Sequence, residues 1–304
     1  MQAHRAPLDP GRWHFQHGPI DIVVGAEGDA AAVAAAHAAA WARFQKVLPE
    51  LVAELRALRL PVDHGAGPAG RVGPCALQGV IARRMWLACR PYHSQFITPM
   101  AAVAGSVAQE LIGRYERDGI SRAWVNNGGD IALHLSPGAS VKVGLFADLA
   151  RFDPSQTTLQ TDAQFEVQAA LPVRGIATSG WRGRSFSLGI ADSVTVLART
   201  AAMADAAATV IANAVNVLDA RIERRPANQI KDDSDLGDIC VTVNVPPLDE
   251  ALIQHALQAG ERRARELQRD GLIHSAVLVC QHRLARVEAL MPATVCAELG
   301  SVFT

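Results

Sequence analysis

Two short apolar runs, Ala123-Trp124-Val125 and Ile131-Ala132-Leu133, are separated only by Asn126-Asn127-Gly128-Gly129-Asp130. Runs of this length are strands rather than helices. The link between them is far too short for the crossover that parallel strands require, so they can only pair antiparallel. Asn-Gly and Gly-Gly supply the positive φ angles that a two-residue hairpin needs. Any fold available to this chain must therefore contain an antiparallel hairpin at its centre.

The surrounding pattern follows from that hairpin. A β-branched run at 20–24 reads as a strand. Asp29 then stands ready to cap a long alanine-rich helix to about residue 58, with Val33, Ala36, Ala40, Val47, Leu51 and Leu55 near helical spacing. Residues 61–74 have the Gly and Pro density of a loop, and 76–89 suit a second helix. Thr98-Pro99 is a helix start, a hydroxyl N-cap followed by proline at the first helical position, with an end expected near 118–119. Strands are expected at 141–146, 175–178, 185–188 and 193–197, and a polar loop or hairpin at 148–168. A helix at 200–217, an acidic loop at 231–238, a strand at 239–245, a helix at 249–270 and strands at 273–280 and 286–290 complete the chain. Strands and helices come in blocks rather than in strict alternation. The expected class is α+β, with largely antiparallel sheets and helices packed against them.

Composition sets the limits. Hydrophobic residues make up 49% of the 304, and aromatics only 5%, so the core must rest on Ala, Val, Leu and Ile. One domain spanning 1–304 is expected. A net charge of -1 leaves no basic footprint for nucleic acid. Cys75, Cys89, Cys240, Cys280 and Cys296 are odd in number and widely spaced, which suits reduced thiols rather than a disulfide framework or zinc knuckle. The first residues lack the apolar core of a signal peptide, and no long uncharged apolar window suggests a membrane span. A cytoplasmic location is expected, with no membrane partner and with room for a homo-oligomer.

Three segments carry candidate chemistry, each with two readings. Asn127-Gly128-Gly129-Asp130 is either a plain hairpin turn or a place where backbone N–H groups approach an anionic ligand. Asp205 and Thr209 stand four residues apart among alanines, so a carboxylate and a hydroxyl lie one helical turn apart. They suit Mg²⁺ completed by water and phosphate oxygens, or equally a carboxylate near a helix N-terminus and a threonine bonded back to a carbonyl. Thr178-Ser179-Gly180, followed by Trp181-Arg182-Gly183-Arg184, is either a surface turn or a phosphate-holding strand end. His14 and His17 have no further ligand nearby, so a metal site there is not expected.

Taken in order, Thr98-Pro-Met-Ala-Ala-Val-Ala-Gly105, Val125-Asn-Asn-Gly-Gly-Asp-Ile131, Ala177-Thr-Ser-Gly180, Val194-Thr-Val196 and Ala204-Asp-Ala-Ala-Ala-Thr209 resemble the ApbE-like superfamily. The resemblance covers about 98–217 and is closest to an uncharacterised branch of stand-alone cytoplasmic proteins. It implies an ApbE, T-fold-like architecture. It also implies a protein related to FAD:protein FMN transferases, which bind FAD, use Mg²⁺, cut the pyrophosphate and attach FMN to a Thr or Ser of a target. Carried over, Asn127, Gly128, Gly129 and Asp130 would face the flavin nucleotide. Asp205 and Thr209 would hold Mg²⁺, and Thr178, Ser179 and Gly180 would line the same cleft.

Two departures bear on activity. The resembled enzymes carry a His-x-x-Asp-Pro segment before the Val-Thr-Val strand, where this chain reads Phe186-Ser187-Leu188-Gly189-Ile190-Ala191-Asp192. No histidine occurs between His134 and His255. A lysine before Gly105 is also replaced, by Ala104. Asp192 and Ser187 are what remains there as candidate catalytic groups. The expectation is a binder of FAD, FMN or a related small molecule with a divalent metal and with changed chemistry. The alternatives are a non-catalytic flavin or small-molecule binder, or an enzyme using the same cleft for an unrelated small substrate.

Overall fold

The computed structural model describes residues 2–8, 11–62, 73–145, 163–232 and 234–289. In chain order the elements are β1 (His4–Pro7), β2 (Arg12–His17), β3 (Ile20–Gly28), α1 (Ala30–Ala53), α2 (Leu55–Leu58), α3 (Val80–Cys89), α4 (Val103–Ile112), β4 (Ile120–Asn127) and β5 (Asp130–Leu135). Then come β6 (Ser140–Leu145), β7 (Ala163–Gln168), β8 (Gly175–Ser179), β9 (Ser193–Ala198), α5 (Ala201–Ala214), β10 (Glu223–Pro226), β11 (Cys240–Asn244), α6 (Glu250–Arg269), β12 (Ser275–Cys280) and β13 (Arg283–Val287). The class is α+β, and every pairing with a defined register is antiparallel. The expected loop at 61–74 falls largely outside the described residues, as does the first part of the loop or hairpin at 148–168. Residues 163–168 of the latter are β7.

The chain forms two compact units that interleave in sequence. One takes 1–139, 172–177 and 198–206, the other 140–171, 178–197 and 207–304.

In the first unit, β1, β2, β3, β4 and β5 pair in sequence order, and the start of β8 pairs with β5 through Ile131↔Ile176 and Ala132↔Gly175. Ile22, Val24 and Val125 of the strands, Ala40, Phe44 and Val47 of α1, and Val107 and Leu111 of α4 share one buried core. Phe15 anchors it, its ring 5.4 Å from Phe44 and 5.2 Å from Trp41, a separation at which tilted aromatic pairs add stability beyond their buried area.

Asp29 caps α1 as expected, its Oδ1 accepting the N–H groups of Ala31 and Ala32 at 3.0 Å each. The helix does not run on to 58, however. It contains Pro49 and breaks at Glu54, whose N–H turns back to Leu51. A proline removes one helical hydrogen bond and crowds the preceding turn. The Glu54 carboxylate is also drawn away, accepting the amides of Gln78 and Gly79 at 2.7 Å and so closing the start of α3. The Thr98 start is corrected too. Thr98 is extended, Pro99–Ala102 is a single 3-10 turn without a side-chain cap, and α4 begins only at Val103 and ends at Ile112 rather than near 118.

In the second unit, β12 lies between β9 and β13. The strands β6 and β7, and β10 and β11, form two separate pairs. The helix α6 buries Ile253, Ala256, Leu257, Gly260, Ala264 and Leu267, the one-sided spacing of an amphipathic helix. The strand expected at 185–188 does not form. The Leu188 N–H donates to the Asn213 side chain at 2.9 Å, and Gly189 donates to Ser187 Oγ, so side chains satisfy amides that a ladder would otherwise use.

Candidate functional site

The site in the first unit grows from the start of α4. A helix leaves its first amides without internal partners, and the residue before it usually supplies an acceptor. Here that residue is Ala102, which has none. Asp205 of α5 supplies it instead. Its Oδ2 accepts the Gly105 N–H at 2.8 Å, and the Ala104 amide also donates to this carboxylate. These are the second and third residues of α4, the amides that a capping side chain normally takes. The approach is close enough to require glycine at 105. A Cβ there would lie 2.3 Å from Ala201 O and 2.8 Å from Asp205 Cβ.

The hairpin turn is fastened to the same place. Asn127 is 5% exposed, and its Nδ2 donates to Ala104 O at 3.1 Å. Asn127 and Asp130 face each other as the closing pair of the β4–β5 hairpin, around Gly128 at φ 65° and Gly129 at φ 110°. The Gly129 N–H donates to Asn126 Oδ1 at 2.8 Å, so the turn satisfies that amide from within. Nothing lies within 4 Å of where a Gly129 Cβ would point. Glycine is thus demanded there by backbone conformation, and the space beside the turn is open.

Asp205 is deeply set while keeping some accessible surface. Burial pushes its carboxyl well above the usual carboxylate range, and the nearby Asp130 carboxylate pushes the same way, against the stabilising Gly105 and Ala104 amides. Among the described residues no group of three or more His, Cys, Asp or Glu is arranged to hold a metal. Thr209 stands one turn further along α5. Cys89 is fully buried, and burial together with Asp205 pushes its thiol up, so it stays a neutral packing residue.

The other sequence candidates lie in the second unit. Thr178 Oγ1 and Thr195 Oγ1 share a hydrogen bond at 2.9 Å. Ser179 ends β8, and Gly180 opens a turn in which Gly183 N–H donates back to Gly180 O. Asp192 is 8% exposed. Its Oδ1 accepts from Trp181 Nε1 at 3.2 Å, and its Oδ2 accepts the Gln281 N–H. Ser187 is 2% exposed, donates to Asn213 Oδ1 at 3.2 Å and accepts the Gly189 N–H at 3.1 Å. Gln281 was not singled out from the sequence. It sits at φ 43° beside His282 at φ 65° in the β12–β13 turn, and its side chain grips Leu248 N and Pro246 O.

Comparison with known proteins places these sites in a wider context. The family model described as AbpE bacteria matches residues 4–289. Among curated proteins the chain is similar to a UPF0280 protein of Methanospirillum hungatei, at 37% identity over 124 residues, 40% of this chain and 47% of that protein. It is also similar to one of Methanopyrus kandleri, at 36% identity over 153 residues, 50% of this chain and 56% of that protein. The chain thus spans about half the length of the curated relatives it matches. Among solved structures it is similar to the ApbE protein of Thermotoga maritima, with TM-score 0.43, 11% identity and coverage of 95% of this chain and 97% of that one. Another is the Pseudomonas stutzeri flavinyl transferase ApbE in its apo form, with TM-score 0.42, 11% identity and coverage of 94% and 93%. Because the family match takes in both units and nearly all of the described length, the chain belongs to the ApbE-like family described as AbpE bacteria.

Proposed function

We propose that this protein binds a flavin nucleotide, FAD or FMN, together with Mg²⁺ at Asp205, and that it does not carry out ordinary FMN transfer. The observation that carries this reading is the Asp205 carboxylate, buried beside Asp130 and fixed at the start of α4. A carboxylate set as deeply as Asp205 costs free energy unless hydrogen bonds, a cation or a proton offset it, and the two amides meet only part of that cost. When bound, Mg²⁺ would supply charge neutralisation for a pyrophosphate.

The chain's own residues would do the rest. Asp205 would hold the ion. The open side of the Gly128-Gly129 turn would receive the nucleotide, with Asp130 at its edge. Within the second unit, Thr178, Ser179 and Gly180 would offer hydroxyl and backbone contacts to a ligand. Asp192 and Ser187 are each engaged by neighbours on both sides, which supports positioning roles rather than proton transfer. General acid–base help of the kind that a histidine gives is worth roughly 10²–10⁴-fold, and the segment 186–192 contains none. That absence supports binding, or altered chemistry, over transfer.

The direct test is the absorbance of the purified protein and the mass of the cofactor released from it, followed by titration with FAD. Flavin absorbance, or saturable FAD binding, supports the reading. Protein that neither carries nor binds flavin with Mg²⁺ present removes it.

A further inference from the structure

Asn127, one of the residues expected to face the nucleotide, directs its side-chain amide at the start of α4. It is 5% exposed, and its amide donates to Ala104 O. Ala104 and Gly105 in turn donate their N–H groups to Asp205. One short path therefore runs from the glycine turn, through Asn127 and the first turn of α4, to the carboxylate on α5. The path is stiff at both ends. The turn is closed by the Asn126–Gly129 hydrogen bond and the Asn127↔Asp130 pair. At the other end, Gly105 leaves no slack between α4 and the start of α5.

We propose that Asn127 is a positioning residue that couples the two halves of the first unit's site. An anionic nucleotide at the Gly128-Gly129 turn and a divalent cation at Asp205 then each strengthen the binding of the other. This rests on the reading given under Proposed function and adds to it how the site is regulated. The physical reason is positional. Shifting the turn pulls on Ala104 O and moves the two amides that orient Asp205, and a cation that draws Asp205 outward moves the turn by the same route. Coupling of this kind is reciprocal by thermodynamic necessity.

The test uses the full chain with Mn²⁺ as the cation and FAD as the nucleotide. FAD affinity is measured with and without Mn²⁺ in the unmutated protein, in Asn127→Ala and in Asn127→Leu. Leucine is close to asparagine in size, carries no charge and cannot donate to Ala104 O, so it guards against a simple packing defect. In parallel, hydrogen exchange of the Gly105 amide is followed without ligand, relative to amides in the core of β3. The expected result is about tenfold tighter FAD binding with Mn²⁺ in the unmutated protein. In both variants that ratio should fall several-fold, to what direct neutralisation of the pyrophosphate supplies, with faster Gly105 exchange and unchanged β3 protection. A loss of stability alone would weaken binding without changing the ratio. Coupling that is undiminished in both variants, or Gly105 exchange that stays unchanged, overturns the relay while leaving the binding reading intact. If the unmutated protein binds neither FAD nor Mn²⁺ while Gly105 exchange still responds to the variants, the path is real, but the binding reading and the coupling both fall.

Discussion

Asp205 caps a helix to which it does not belong, accepting the N–H of Gly105 from 100 residues away at 2.8 Å. A carboxylate at a helix N-terminus is favoured by the unsatisfied amides and by the helix dipole. Under the proposed reading the same carboxylate also holds the cation, and the two roles can be separated by substitution. Asp205→Asn keeps an acceptor for Gly105 and relieves the repulsion from Asp130, so its stability should stay within about 1 kcal/mol of the unmutated protein. Asp205→Ala leaves the two amides uncapped and should cost about 1–2 kcal/mol. Both should abolish any effect of Mg²⁺ on FAD affinity. Urea unfolding and FAD titration report the two properties independently.

Gly105→Ala tests the close approach itself. The added methyl would meet Ala201 O at 2.3 Å, and backbone cannot step aside as a flexible side chain could. Overpacking of this kind costs about 1–3 kcal/mol, and the displaced amide adds the loss of its cap. We expect a drop of about 2–4 kcal/mol in unfolding free energy. Substitution at Gly129 should act differently, through its φ of 110° rather than through any clash.

Much of this was legible in the sequence, for reasons that differ by residue. The hairpin at 126–130 announced itself because its turn chemistry is local. Asp29 was a readable cap because the amides it serves lie two and three residues away. The cap from Asp205 to α4 was not readable, since it depends on a contact formed only after two distant segments pack. A signal was present nonetheless. Ala102 cannot cap, and a glycine within a helix at 105 marks a close approach. Glu54 escaped notice for the same reason, because its partners, Gln78 and Gly79, are 24 and 25 residues away. The strands β1 and β2 were missed because the glycine and prolines around 7–11 suggest a loop, although Trp13 and Phe15 do alternate with polar residues along Arg12–His17. They are held instead by pairing with β3 and by the Arg5 guanidinium lying over the rings of Trp13 and Trp41, at 5.0 and 5.2 Å.

Two groups in the first unit set how stability falls in acid. Glu110 is buried, which alone would raise its pKa, but hydrogen bonds from Arg43 and Arg84 hold it below the ordinary 4.5. It therefore contributes stability that is present above pH 4.5 and lost as pH falls through its lower folded value. Burial lowers His37 from its ordinary 6.5 while Tyr115 OH sits 2.8 Å from its Nδ1. The folded state resists charging His37, so stability also declines as pH drops below 6.5. Unfolding midpoints across this range should show both steps. Glu110→Gln should remove the lower step and cost about 3 kcal/mol near neutrality, because three arginines lose their shared partner.

Transfer of FMN from FAD to a Thr- or Ser-containing acceptor should be absent or nearly so. An acceptor hydroxyl is a poor nucleophile at neutral pH without a base. Asp192, the acidic group in the segment before β9, has both oxygens hydrogen-bonded to Trp181 and Gln281. In-gel flavin fluorescence of the acceptor, run beside an active flavin transferase, checks this. Labelling comparable to that enzyme would restore plain transferase activity, and Asp192→Asn would then show whether that carboxylate takes part.

The measurement closest to the central claim is the affinity of the unmutated protein for FAD in excess Mg²⁺ and again in excess chelator, with Asp205→Asn as the control. The account predicts saturable FAD binding that Mg²⁺ tightens about tenfold and that becomes indifferent to Mg²⁺ in the variant. FAD binding that is equal with and without Mg²⁺ in the unmutated protein, or no FAD binding at all, would contradict it.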